Sequence, residues 1–198
     1  GPGEYGHGDQ FLGVTVPEQR RLAKQFMALP LGEVLPLLTS KLHEERLTAL
    51  LIMVRQFERG DTTQQRRLVE VYLKHTNHVN NWDLVDSSAC YILGSWLLDK
   101  DRKILYRLAQ SKLLWDRRIA IIATYAFIRT GDAKDTLRLA KLLLDDEEDL
   151  MHKAVGWMLR EVEKRVDVKL LRGFLKANAR RMPRTTLRYA IEHLPEAE

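Results

Sequence analysis

The sequence predicts an all-α solenoid, a curved stack of helix pairs, and three observations predict it. Proline occurs only at positions 2, 17, 30, 36, 183 and 195, so the 146 residues from Leu37 to Met182 can be helical almost throughout. Apolar residues recur at helical spacing, as in Leu47, Leu50, Leu51, Val54 and in Ile119, Ile122, Ala123, Ala126, with no run of period two. The helical stretches also end alike, each at a break that carries an aspartate.

The opening segment Gly1 to Val16 holds five of the eleven glycines and reads as irregular chain, part of it a cloning remnant. A helix from about Glu44 ends at Arg59-Gly60-Asp61, and one from Trp82 runs to about Leu98 before Asp99-Lys100-Asp101. A third, from about Trp115, ends at Thr130-Gly131-Asp132, and a further break falls at Arg165-Val166-Asp167. Asp61, Asp101, Asp132 and Asp167 read as N-caps, because a carboxylate there accepts from free N–H groups and opposes the positive end of the helix dipole. Their spacings of 40, 31 and 35 residues fit a HEAT-like array. Each pair buries its apolar face only against a neighbour, so the array curves and has a concave side. Residues 1–198 are expected to form this one domain.

Thirty-two Lys and Arg against 27 Asp and Glu give a net charge of +5, which favours a polyanionic partner. Residues 1–100 hold 11 basic and 12 acidic side chains, so the excess lies in the C-terminal half. A hydrophobic share of 45% excludes a disordered chain, and the single Cys90 excludes a disulfide framework and suits the cytosol. The longest apolar stretch, Ile119 to Ile128, is half the ~20 residues a bilayer span needs, so no membrane partner is expected.

Four constellations can carry chemistry. In Asn80-Asn81-Trp82-Asp83-Leu84-Val85-Asp86, Trp82 and Asp86 stand four apart and share a helix face; alternatively Trp82 is a core aromatic and an aspartate serves the dipole. In Leu114-Trp115-Asp116-Arg117-Arg118 an arginine near a helix start gains nothing from the dipole and asks for an anion. One of Arg117 and Arg118 is explained as well by a salt bridge to Asp116 or a neighbouring repeat. Lys153, Trp157 and Arg160 form a basic-aromatic stripe suited to a phosphate backbone, unless Trp157 is plain core, and Gly156 lets another backbone approach. Residues 168–191 contain Lys169, Arg172, Lys176, Arg180, Arg181, Arg184 and Arg188 and no acid. Without interleaved acids such a stripe repels itself, which favours a phosphate-binding flank over a merely solvated face.

Other chemistries lack their residues. His43-Glu44-Glu45-Arg46-Leu47 has leucine where a zincin needs its second histidine, and no CxxC pair exists. His75 and His78 lack acidic or thiol partners, and no GxSxG, P-loop or dinucleotide fingerprint occurs.

Together Phe11-Leu12-Gly13-Val14, His43-Glu44-Glu45-Arg46, Asn81-Trp82-Asp83-Leu84-Val85-Asp86, Leu114-Trp115-Asp116-Arg117-Arg118, His152-Lys153-Ala154-Val155-Gly156-Trp157 and Met182-Pro183-Arg184 resemble the AlkD-type DNA alkylation repair glycosylases. The resemblance covers nearly the whole chain. It implies a HEAT-like solenoid whose concave face cradles duplex DNA and which hydrolyses the N-glycosidic bond of N3- or N7-alkylated purines, in base excision repair. It implies no metal and no cofactor, a monomer, and a cytoplasmic protein associated with the bacterial nucleoid when bound to DNA. The family's catalytic carboxylate falls on Asp86, its two DNA-contacting tryptophans on Trp82 and Trp157, and its essential arginine on Arg118 rather than Arg117. Two departures accompany it: the chain opens almost at the Phe-Leu-Gly segment, where many members carry further helices, and its C-terminal end is short. A non-catalytic binder of distorted or branched DNA, or a scaffold for an acidic protein, are the competing readings.

Overall fold

A computed structural model describes residues 8–194, and the opening residues expected to be a cloning remnant lie largely outside these. Among the described residues all regular structure is helical, apart from one isolated bridge between Gln10 and Leu42. The chain folds as two compact units, Gly1–Trp96 and Leu97–Glu198.

In the first unit α1 (Val16–Gln25) starts where Thr15 donates its N–H and hydroxyl to the Glu18 carboxylate, at 3.0 and 2.6 Å. Helices α1 and α2 (Leu31–Leu38) both pack on α3 (His43–Arg59), and α4 (Thr62–Lys74) follows. Helix α3 is the centre of this core: Leu47, Leu50, Ile52 and Met53 are almost wholly buried, each contributing about 1.5–3 kcal/mol by transfer from water. The helix expected from Trp82 to Leu98 is interrupted. Helix α5 stops at Trp82–Asp86, and a π-helical turn, Cys90–Gly94, closes with Gly94 N donating to Ala89 O. Ser88 is the local cause: its hydroxyl donates back to Leu84 O at 2.6 Å and bonds the buried Tyr72 hydroxyl, competing with the regular ladder.

The second unit comprises α6 (Lys103–Ala109), α7 (Leu114–Ala123), α8 (Tyr125–Ile128), α9 (Lys134–Leu142), α10 (Asp149–Arg165), α11 (Val168–Asn178) and α12 (Arg184–Ala190). The single helix expected from Trp115 is two, because the buried Thr124 hydroxyl bonds back to Ile121 O at 2.7 Å. Helix α10 packs against α7, α9, α11 and α12.

All four break aspartates accept from a first-turn N–H: Asp61 from Gln64, Asp167 and Asp101 from Lys169 and Lys103, Asp132 from Lys134. Asp61 and Asp167 are the cap residues themselves, whereas Asp101 and Asp132 stand one position earlier, before Arg102 and Ala133.

A turn device phases the repeats. Arg46 Nη1 donates to Ser40 O and Lys41 O, Arg117 Nη1 to Ser111 O and Lys112 O, and His152 Nε2 to Asp146 O. Each donor is the fourth residue of its helix and reaches six residues back. The side chain of that sixth residue in turn accepts from the N–H two positions on: Ser40 from Leu42, Ser111 from Leu113, Asp146 from Glu148. Positions 46, 117 and 152 are therefore equivalent, and so are Leu47, Arg118 and Lys153.

Gly156 is where α12 meets α10: a Cβ there would lie 2.6 Å from Thr186 O and 2.5 Å from Tyr189 Cβ. Gly156→Ala is therefore expected to push α12 away and cost about 1–3 kcal/mol in urea unfolding; an unchanged midpoint would show that the two helices separate freely.

Candidate functional site

In the first unit Asn81 caps α5, accepting from Trp82 N at 2.8 Å. Leu84 and Val85 are fully buried, which turns Trp82 and Asp86 to the opposite face. Trp82 is 46% exposed, so it is not a core aromatic. Both side chains line a recess of about 390 Å³, walled by Leu51, Val54 and Arg55 of α3, with Arg20 and Tyr91 at its margin.

This face is held in place by a buried ionic network. The His43 imidazole bonds Asp9 Oδ2 through Nδ1 at 2.9 Å and Asp83 Oδ2 through Nε2 at 2.8 Å. Asp9 also receives Arg46 Nη2 at 2.6 Å and Asn81 Nδ2 at 3.0 Å. The Glu44 carboxylate takes Leu12 N and Gly13 N, while the Phe11 ring lies 4.8 Å from the imidazole. Residues 9–13 are thereby strapped to the start of α3, and α5 is tied to the same point. Burial disfavours the charged imidazole, but the hydrogen bonds and charges of Asp83 and Asp9 outweigh it and raise the His43 pKa. Burial likewise opposes ionised Asp9, and Asn81, His43 and Arg46 outweigh it, holding the carboxyl below its ordinary range. Asp9 stands 34 residues from His43 in a glycine-rich stretch, and no local pattern marks it as a partner.

In the second unit the two adjacent arginines separate. Arg117 grips Asp146 through Nε and Nη2, at 2.6 and 3.2 Å, and is the equivalent of the turn-holding Arg46. Arg118 is 4% exposed and donates Nη1 to Leu150 O at 2.5 Å. Its equivalent in the first unit, Leu47, is 2% exposed core. A guanidinium thus stands where the first unit has a core leucine and the third equivalent position has Lys153.

Trp157 is half-buried, its Nε1 donating to Glu161 Oε1 at 3.2 Å, and Glu161 Oε2 accepts from Arg165 Nε at 2.6 Å. The Tyr125 ring stands 6.3 Å away at 37°, with the Arg165 guanidinium over it. The flanking cations are paired: Lys153 with Asp149 at 2.8 Å, and Arg160 with Glu192.

The acidic run Asp145 to Asp149 takes up cations from three elements, since Arg181 pairs with Asp145, Arg117 with Asp146 and Lys153 with Asp149. Lys169, Arg172 and Lys176 are exposed on α11, Arg180 lies beyond the helix, and Leu170 is 39% exposed. Arg184 opens α12, and Arg188 stands 5.8 Å from the Tyr189 ring centroid.

The profile of the DNA alkylation repair enzymes matches residues 4–194, almost the entire chain. The chain belongs to that family. Among solved structures it is similar to a predicted DNA alkylation repair enzyme from Enterococcus faecalis, at 18% identity and a TM-score of 0.76, over 96% of this chain and 91% of the other. No curated protein matches the chain. As a member of the DNA alkylation repair enzymes, the protein has its place in the repair of alkylation damage and binds DNA. No helix among the described residues is long and apolar enough to cross a membrane.

The network makes stability depend on pH in a defined direction. Folding raises the His43 pKa, so its contribution is complete below about 6.5 and is lost as pH rises through the folded value. The Asp9 contribution has the opposite sign, present above about 3.8 and lost as pH falls through the lowered value. Urea unfolding between about pH 6 and 9 is expected to show the alkaline decline, and His43→Gln should flatten it; parallel curves for the two proteins would remove His43 as the cause.

Proposed function

We propose that the protein is a monomeric, monofunctional DNA glycosylase that hydrolyses the N-glycosidic bond of N3- or N7-alkylated purines in duplex DNA without metal or cofactor. The observation that carries this reading is an exposed indole and a carboxylate, Trp82 and Asp86, on one face of one recess, braced by buried charges. Alkylation makes the purine cationic, so the bond to C1′ breaks with its electron pair going to the base, and the neutral base leaves without protonation. Positive charge then develops on the sugar. Asp86 stabilises that charge and takes the proton of the water that attacks C1′, an electrostatic role worth several kcal/mol in a partly dehydrated site. The Trp82 face against the sugar favours the same charge by about 0.5–2 kcal/mol.

Trp157 and Arg118 are assigned as further contacts of the damaged nucleotide. Repeat register supports Trp157: it and Arg160 occupy in α10 the positions of Leu51 and Val54, which line the Trp82–Asp86 recess in α3. Arg118 is supported by its burial as a cation at the position where the first unit has the core residue Leu47. Lys169, Arg172, Lys176, Arg180, Arg184 and Arg188 are assigned to phosphates; Arg117, Lys153, Arg160 and Arg181 are assigned to DNA only through exchange of their present carboxylate partners.

Methylated duplex incubated with the protein should release free 7-methylguanine, and Asp86→Asn should slow single-turnover release by roughly 10²–10⁴-fold. Tight binding with no release at micromolar protein would leave a DNA-binding protein only. Arg118→Leu, which copies the first unit, is expected to lose release while urea unfolding still shows a cooperative transition. Loss of both together would make Arg118 a structural residue.

A further inference from the structure

A second recess of the first unit, also about 390 Å³, lies where the end of α3 meets the α1–α2 connection and α4. Three guanidiniums line it, those of Arg55, Arg59 and Arg67, and no carboxylate does. Among the described residues none of the three pairs with an acid; Arg59 Nη1 instead rests on Met27 Sδ at 2.7 Å. Like charges gathered around one space repel, and an anion in that space removes the cost.

The recess is built rather than incidental. The Gln56 amide donates to Met27 O and Leu29 O, at 3.0 and 2.7 Å, which fixes the connecting loop against α3. On the other side Asp61 and Gln64 cap α4 reciprocally, and Gly60 sits so close that a Cβ would lie 2.8 Å from Gln56 O. Arg55 borders both this recess and the one holding Trp82 and Asp86, so the two adjoin along α3. The charge count by halves hides this surface, because the first hundred residues are nearly neutral in sum while these arginines stay unpaired.

We infer that the recess binds backbone phosphodiesters of the duplex beside the damaged nucleotide, the strand passing from Trp82 and Asp86 over Arg55 to Arg59 and Arg67. The inference rests on the glycosylase reading for the position of the damaged nucleotide, but its test reads binding alone. Affinity for an undamaged duplex is measured over about 50–200 mM salt for the full chain and for Arg59→Ala, Arg67→Ala and the double variant. Each substitution is expected to lower the log–log salt slope by about one, while single-turnover release at saturating protein stays within about twofold. Arg66→Ala, one position along α4 and outside the recess, should leave the slope unchanged. Arg59 also touches Met27, so Arg67→Glu, expected to remove about two units of slope, carries the test if Arg59→Ala melts early.

Equal slopes for the parent and the double variant overturn the inference, and so does an equal loss in Arg66→Ala, which would mean a diffuse field. Millimolar dAMP that raises the melting temperature of the parent but not of the double variant, with duplex slopes equal, would make the recess a mononucleotide site and also overturn it. A parent that shows the expected slope losses but releases no base refutes the glycosylase reading and leaves the phosphate site standing.

Discussion

One buried imidazolium organises the first unit. His43 stands between two carboxylates from opposite sides of the chain, Asp9 ahead of α1 and Asp83 in α5, and each bond needs a proton on a different ring nitrogen. Both bonds at full strength require the charged ring, and the flanking acids keep it charged despite its burial. Asp9 answers with three donors, so removing any one leaves the others facing a partly unpaired buried charge. The orientation of Trp82 and Asp86 follows, because α5 is only five residues long and its packed face is just Leu84 and Val85. A helix so short has little cooperativity of its own and takes its register from the ion pair and the Asn81 cap.

The same network explains why three separated segments carry the family resemblance. Phe11-Leu12-Gly13 offers a ring to His43 and two N–H groups to Glu44; His43-Glu44-Glu45-Arg46 supplies the acceptors and cations; Asn81-Trp82-Asp83 supplies the cap and the second carboxylate. Of these, Trp82 and Asp83 line the recess that also holds Asp86. Much of a motif that reads as catalytic is thus the frame for one indole and one acid.

The fold class was legible because its causes are local: absent proline, apolar spacing and carboxylate-bearing breaks all act within a turn or two. The errors are local too, but of a kind that spacing cannot register. Thr124 and Ser88 look like neutral helix residues, and only the turn of their hydroxyls onto Ile121 O and Leu84 O ends the regular ladder. The pairing of His43 with Asp9 and Asp83 spans 34 and 40 residues and has no signature in the chain at all. The different surroundings of Arg117 and Arg118 were present in the sequence, though faintly. Ser40-Lys41-Leu42 returns 71 residues later as Ser111-Lys112-Leu113, which puts Arg117 on Arg46 and leaves Arg118 on a leucine.

The charge a ligand meets depends on pairing as well as on number. A cation held 2.6–2.8 Å from a carboxylate adds little to the field a phosphate feels, and must give up that partner to bind another. The acidic run at residues 145–149 sits among the arginines and lysines that make the C-terminal half look basic, and it neutralises one from α7, one from α10 and one beyond α11. The exposed face of α11 escapes because no acid lies on it. In the nearly neutral first unit several acids are committed elsewhere: Asp9, Glu44 and Asp83 serve the α3 network, and Asp61 serves a cap. Among the described residues Arg55 and Arg67 have no acid partner, so the charge available to a polyanion depends on where carboxylates pair and not on their number alone.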